Sequence, residues 1–187
     1  TIAELGGDIV LVDKPKVEYS ILVDMLKDIG DIDVTCIHCD LEIGDDRDSL
    51  IQALVTVEEP LHVLINNAAF VGTSELEGWG TDFEDQSLET WRRAFEVNLT
   101  SVFDLSKGLS PKLKQSGHGS IINVASIYGV SGPDYSLYED TKMGNPAAYA
   151  ASKGGLIQLP RSFLLSRISR AARFSAVSTR ARCFGGG

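Results

Sequence analysis

Gly119-Ser120-Ile121-Ile122-Asn123-Val124-Ala125-Ser126-Ile127-Tyr128-Gly129 is the stretch on which the reading of the fold turns. Its apolar run, bounded by Gly119 and Gly129, reads as a short buried strand. The strand ends by presenting a hydroxyl, Ser126, where it meets a loop. Upstream, Leu61-His62-Val63-Leu64-Ile65-Asn66-Asn67-Ala68-Ala69 reads as a second buried strand that ends in amides and small residues. Downstream, Tyr149-Ala150-Ala151-Ser152-Lys153 sets a tyrosine and a lysine at i and i+4 of a helix opened by Pro146.

The pattern repeats outward from these three pieces. Asp8-Ile9-Val10-Leu11-Val12-Asp13, between Gly6-Gly7 and Pro15, is another buried strand. Ile21, Leu22, Met25 and Leu26 follow at helical spacing and stop at Gly30. A strand over 32–39 precedes a helix over 46–58 with Leu50, Ile51, Leu54 and Val55 on one face. Residues 72–86 read as an acidic, glycine-containing loop, and a long helix is expected from about 87 to about 114. Short apolar strands alternating with helices imply an α/β fold with a parallel sheet covered on both faces. Right-handed crossovers make that sheet doubly wound, in the Rossmann manner.

Composition narrows the function classes. A chain of 187 residues, 43% of them hydrophobic, can bury a substantial core. Its net charge of −9 argues against nucleic acid as the main partner, because phosphate binding needs an excess of Lys and Arg. There is no run of 18 apolar residues and no charged-then-apolar start, so a cytoplasmic location away from membranes is expected. Three cysteines, Cys36, Cys39 and Cys183, fit a reducing compartment better than a disulfide framework. Cys36-Ile37-His38-Cys39 lacks a second ligand pair for zinc and ends a strand rather than opening a helix. Buried small side chains are the better reading, and no metal site is expected.

In open α/β sheets ligands sit at the carboxyl ends of the strands, which draws attention to Asp13, Asp40, Asn66 to Ala69, and Ser126. With Tyr149 and Lys153 in order behind them, the chain resembles the short-chain dehydrogenase/reductase family, over about residues 1–158. The resemblance implies hydride transfer between a nicotinamide cofactor and a hydroxyl or carbonyl substrate. It implies Tyr149 as acid/base, Ser126 holding the substrate oxygen, and Asn98, in Phe95-Glu96-Val97-Asn98-Leu99-Thr100, supporting a water-linked proton relay. A tyrosine titrates near pH ~10, and an ammonium one helical turn away lowers that value, which is the use of Lys153. The family gives its lysine a second task on the nicotinamide ribose. Asp40-Leu41 matches the adenine-contacting pair, and Asn67 and Ala68 match a turn whose small residues admit the cofactor. Ala69 stands where the family usually has glycine. Asp13 fits the carboxylate that accepts both adenosine-ribose hydroxyls and repels a 2′-phosphate, so NAD is favoured over NADP. A solvated loop acid is the plain alternative for that residue.

Tyr138-Glu139-Asp140-Thr141-Lys142 is a second Tyr-x-x-x-Lys match, and its spacing from Ser126 is the more usual one for the family. Its surroundings, Gly132-Pro133 and Gly144-Asn145-Pro146, have loop composition, so Tyr149 is preferred. The inserted segment resembles a branch tied to bacterial surface-sugar and flagellin modification, which implies a sugar derivative as substrate.

The two ends depart from the family. Its glycine-rich pyrophosphate turn precedes the ribose acid by about 20 residues. Only twelve residues precede Asp13, so the first strand and its turn are expected to be absent from this chain. Residues 161–187 carry six arginines and no acid, against 26 acids in 1–160. The expected division is therefore a partial nucleotide-binding domain over 1–160 and a basic tail over 161–187. The tail reads as an aberrant ending, a divergent folded ending or a basic arm. Beside the NAD-dependent oxidoreductase stand two alternatives: a catalytically silent fragment or dimerisation partner, and a sugar-nucleotide epimerase or dehydratase. A homodimer or homotetramer is expected, since the family pairs the helices that correspond to 87–114 and 147–160.

Overall fold

The computed structural model describes residues 2–73, 75–132, 144–164 and 172–179, with backbone alone from 162 onward. It divides between Ala53 and Leu54 into two compact units. Both are built from parallel strands joined by helices, the Rossmann-like α/β arrangement that the sequence predicts.

In the first unit, β1 (Ile9–Asp13) and β2 (Val34–His38) pair in parallel, Ile9 opposite Val34 and Asp13 opposite His38. The amide of Cys39 extends the ladder to the Asp13 carbonyl at 2.9 Å. α1 (Ser20–Ile29) connects the strands, and α2 (Gly44–Thr56) follows β2. The helical spacing of Ile21, Leu22 and Met25 does give a helix, but none of its residues is buried and Ile21 is 76% exposed. The CxxC pair splits, with Cys39 buried and Cys36 exposed. Burial pushes the Cys39 thiol up to about 11, with Asp46 and Asp40 adding to the shift, so it is a protonated, unreactive core group.

The second unit carries β3 (Val63–Asn66), β4 (Gly119–Ser126) and β5 (Ala172–Thr179) in spatial order β3-β4-β5, all parallel. β4 is central, and its side chains alternate between buried and half-buried, one face of the strand being packed more tightly than the other. All eight positions of β5 pair with β4, from Gly119 opposite Ala172 to Ser126 opposite Thr179. This strand lies inside the stretch read from sequence as a basic tail. Pro160 lies inside α6 (Ala147–Leu164), the helix that Pro146 precedes.

The helix expected over 87–114 exists in pieces. α3 (Leu88–Phe95) starts where Ser87 Oγ accepts from the Thr90 amide at 3.1 Å, satisfying an otherwise unpaired donor. A π-helical turn follows over Glu96–Thr100, then α4 (Ser101–Gly108), and Pro111 opens α5 (Ser110–Gln115). Val102 of α4, Ala125 of β4 and Leu156 of α6 make the core between these elements. Their burial fixes α6 against the end of β4.

Candidate active site

β4 delivers Ser126 to its carboxyl end, where the side chain is 5% exposed and Oγ accepts from the Tyr128 amide at 3.3 Å. The chain then turns through Ile127–Gly129 directly beneath α6. Gly129 is required there: a Cβ on it would lie 2.6 Å from the Lys153 carbonyl carbon. That close approach packs the backbone of α6 at Lys153 against the turn that follows Ser126.

Lys153 is 2% exposed, and its Nζ donates to the Val124 carbonyl at 2.8 Å. The same ammonium lies 5.7 Å from the centre of the Tyr149 ring. Burial lowers the Lys153 pKa from 10.5 to about 8, since an apolar surround disfavours the charged form. A cation held dry beside a phenol acts on it more strongly than one in water, because solvent screens it less.

Asn98 lies in the π-helical turn, completely buried. Its Oδ1 accepts from the Phe70 amide at 2.6 Å, and its Nδ2 donates to the Phe70 carbonyl at 3.3 Å and to Ser152 Oγ at 3.0 Å. Ser152 Oγ donates in turn to the Tyr149 carbonyl at 2.9 Å. α6, which carries Tyr149 and Lys153, is thus tied to the end of β4 through Val124 and Gly129 and to Asn98 through Ser152. Tyr138, the competing tyrosine, lies outside the described residues.

Asn67 and Ala68 are exposed just past β3. Asn66, the last residue of β3, is buried, and its Nδ2 donates to Asn123 Oδ1 of β4 at 2.8 Å, locking the two strand ends in register. Asp13, Asp40 and Leu41 belong to the first unit. Asp13 is exposed at the end of β1, and its Oδ1 accepts from the Lys14 amide at 2.7 Å. The Asp40 amide donates to Asp46 Oδ2 at 3.0 Å, and the Leu41 carbonyl accepts from Arg47 at 2.7 Å. The first turn of α2 therefore holds both Asp40 and Leu41 in place.

Several residues of these networks gave no sequence signal. Gln86 Oε1 caps α6 by accepting from the Ala147 amide at 2.9 Å across 61 residues of sequence. Arg47, 4% exposed, is equally remote from any motif. Among the described residues no group of three or more His, Cys, Asp or Glu side chains could hold a metal ion. No described helix is long and apolar enough to cross a membrane.

The short chain dehydrogenase family model matches residues 1–179. A 3-alpha-(or 20-beta)-hydroxysteroid dehydrogenase of Mycobacterium tuberculosis is 34% identical over 96 residues, which are 51% of this chain and 34% of that protein. An NADPH complex of a short-chain dehydrogenase from Sphingobium yanoikuyae superposes with TM-score 0.73 at 25% identity, over 95% of this chain and 64% of that one. The NAD+-bound xylitol dehydrogenase gives TM-score 0.77 at 25% identity, over 95% of this chain and 62% of that one. The chain thus spans only part of the length of these relatives. With β4, α6 and the π turn arranged as described, and the family model running from the first residue through β5, the chain belongs to the short-chain dehydrogenase family.

Proposed function

We propose that the protein is an NAD-dependent oxidoreductase that moves a hydride between the nicotinamide and a hydroxyl or carbonyl substrate. The observation that carries this reading is the buried Lys153 ammonium beside the Tyr149 ring, with Ser126 at the adjoining strand end. The cofactor, when bound, supplies or accepts the hydride. The exposed Asn67 and Ala68 leave open backbone at the end of β3, and the exposed Asp13 carboxylate suits a free ribose diol; these features fit a nicotinamide dinucleotide.

Ser126 Oγ holds the substrate oxygen and polarises it. Tyr149 gives its phenolic proton to that oxygen in reduction and removes it in oxidation. Lys153 stabilises the phenolate by its charge and contributes to holding the nicotinamide ribose. Asn98 positions the turn through which the proton is replaced from water. Asp40 and Leu41, braced by Asp46 and Arg47, serve the adenine. The two solved relatives bind NADPH and NAD+ respectively, and Asp13 is the reason NAD is preferred here. A polyhydroxylated, sugar-like substrate is the class favoured by the sequence after Ser126, and the likeness to a xylitol dehydrogenase supports it.

A groove of about 420 Å³, lined by Leu99, Phe103, Gly155 and Leu159, runs between α4 and α6 and supports pairing with a second copy through these helices. The test of function is NADH binding by fluorescence together with turnover of a panel of polyols and simple secondary alcohols. Saturable binding is expected, with activity lost in Tyr149→Phe and kept in Tyr138→Phe. Loss in Tyr138→Phe alone would transfer the role to that tyrosine. Binding without turnover in the unaltered chain would favour the silent alternative.

A further inference from the structure

Resting on the oxidoreductase reading, we propose that Ser152 is a positioning residue whose hydroxyl sets Tyr149 and Lys153 in register with Asn98 and the backbone beyond β3. A serine inside a helix commonly bonds back to its own preceding turn, and Ser152 does so on the Tyr149 carbonyl at 2.9 Å. That alone would be a local matter. What sets this serine apart is its other bond, from Asn98 Nδ2 at 3.0 Å, reaching from a different element 54 residues away. Both side chains are 0% exposed, so no water substitutes for either partner.

The direction of every bond in the chain is forced. The Phe70 amide can only donate, so it faces Asn98 Oδ1 and fixes the orientation of the side-chain amide. The two Nδ2 hydrogens then go to the Phe70 carbonyl and to Ser152 Oγ. Ser152, accepting from Asn98, directs its own hydrogen to the Tyr149 carbonyl. The result is one continuous path from the turn that follows Asn67 and Ala68, through the π turn, to the backbone of the proposed acid/base. Alanine at 152 would leave one Asn98 hydrogen unpaired in a dry site and free the α6 turn to slide. Tyr149 and Lys153 would then lose their alignment with the substrate oxygen held by Ser126.

The experiment uses Ser152→Ala in the chain as it stands, with cyclohexanol and xylitol as probe substrates and NAD as cofactor. The expected result is a fall in kcat of roughly tenfold or more with the KM for NAD nearly unchanged, the mark of misplacement rather than lost binding. The second reading needs no cofactor: amide hydrogen exchange at Phe70, whose N–H is held by Asn98 Oδ1. Exchange there should quicken in Ser152→Ala while exchange in β1 is unchanged, and Ser152→Thr, which keeps the hydroxyl, should restore kcat. A folded Ser152→Ala with unaltered kcat and unaltered exchange at Phe70 overturns the proposal. If Ser152→Ala does not fold, Ser152→Thr is compared with Ser152→Cys, whose thiol is a poor hydrogen-bonding group. A kcat kept in the threonine variant and lost in the cysteine variant supports the proposal, and equal kcat in the two overturns it. An unaltered chain with no turnover defeats the oxidoreductase reading, while exchange at Phe70 still decides the role of Ser152.

Discussion

Lys153 combines a structural cost with its proposed chemistry. Burial holds its folded pKa near 8, below the 10.5 of an unfolded chain, so the folded state binds fewer protons between those values. Stability contributed by this group therefore rises with pH from about 8 to 10.5, and the penalty is fully present below 8. Lys153→Met keeps the apolar stem and removes the charge. It should abolish turnover yet raise stability at pH 7 by on the order of 1–3 kcal/mol, a gain that shrinks toward pH 10.5. Urea melts of both proteins at several pH values measure this, and a gain independent of pH would contradict it. Asp13 supports a specificity prediction at the same scale. Asp13→Ser should raise the kcat/KM for NADP relative to NAD by roughly tenfold or more, because a carboxylate beside a 2′-phosphate is repulsive. An unaltered ratio would return Asp13 to the status of a solvated loop acid.

At the scale of elements, the site depends on how closely the turn after β4 approaches α6. Gly129 has no room for a Cβ against the Lys153 carbonyl carbon, 2.6 Å away, and backbone cannot rotate aside as a side chain can. Gly129→Ala should cost about 1–3 kcal/mol by overpacking and depress kcat more than cofactor binding. Thermal melting and NADH titration separate the two effects. Gln86 holds the other end of α6 through the Ala147 amide, so Gln86→Ala should lower stability by about 1 kcal/mol, as loss of a cap does. The sequence marks neither contact. Gln86 sits in an acidic loop with no pattern of its own, and its partner becomes a neighbour only when α6 packs.

For the whole molecule, burial is distributed unevenly. β4 is paired on both sides and buried at alternate positions, whereas α1 has no buried residue. Native-state hydrogen exchange should accordingly be slowest in β4 and fastest in α1 among the described elements. The exposed face of Phe103, 42% accessible on the groove between α4 and α6, gives an assembly prediction. On the proposed pairing through this groove, the unaltered chain should scatter light as a dimer and Phe103→Glu as a monomer, since a charge in an apolar contact is costly. Equal masses for the two proteins would exclude that face as the interface.

The alternation of strands and helices and the ends of β1, β3 and β4 were legible in the sequence alone, whereas Asn98, Ser126, Tyr149 and Lys153 were marked as a proposed site by the family resemblance that their motifs carry. The strands and helices are written in local terms, an apolar run or a breaker, and Tyr149 and Lys153 in an i, i+4 spacing; Asn98 has no such local signal. The folded chain alone showed that the arginine-rich stretch contains a strand, and which residues hold Asn98 where the helix over 87–114 breaks. Those outcomes depend on partners distant in sequence. The ladder of β4 recruits β5, and the Phe70 and Ser152 bonds hold Asn98 in its π turn. Periodicity reports which face of an element is apolar; it does not report what that face, or a buried amide, will meet.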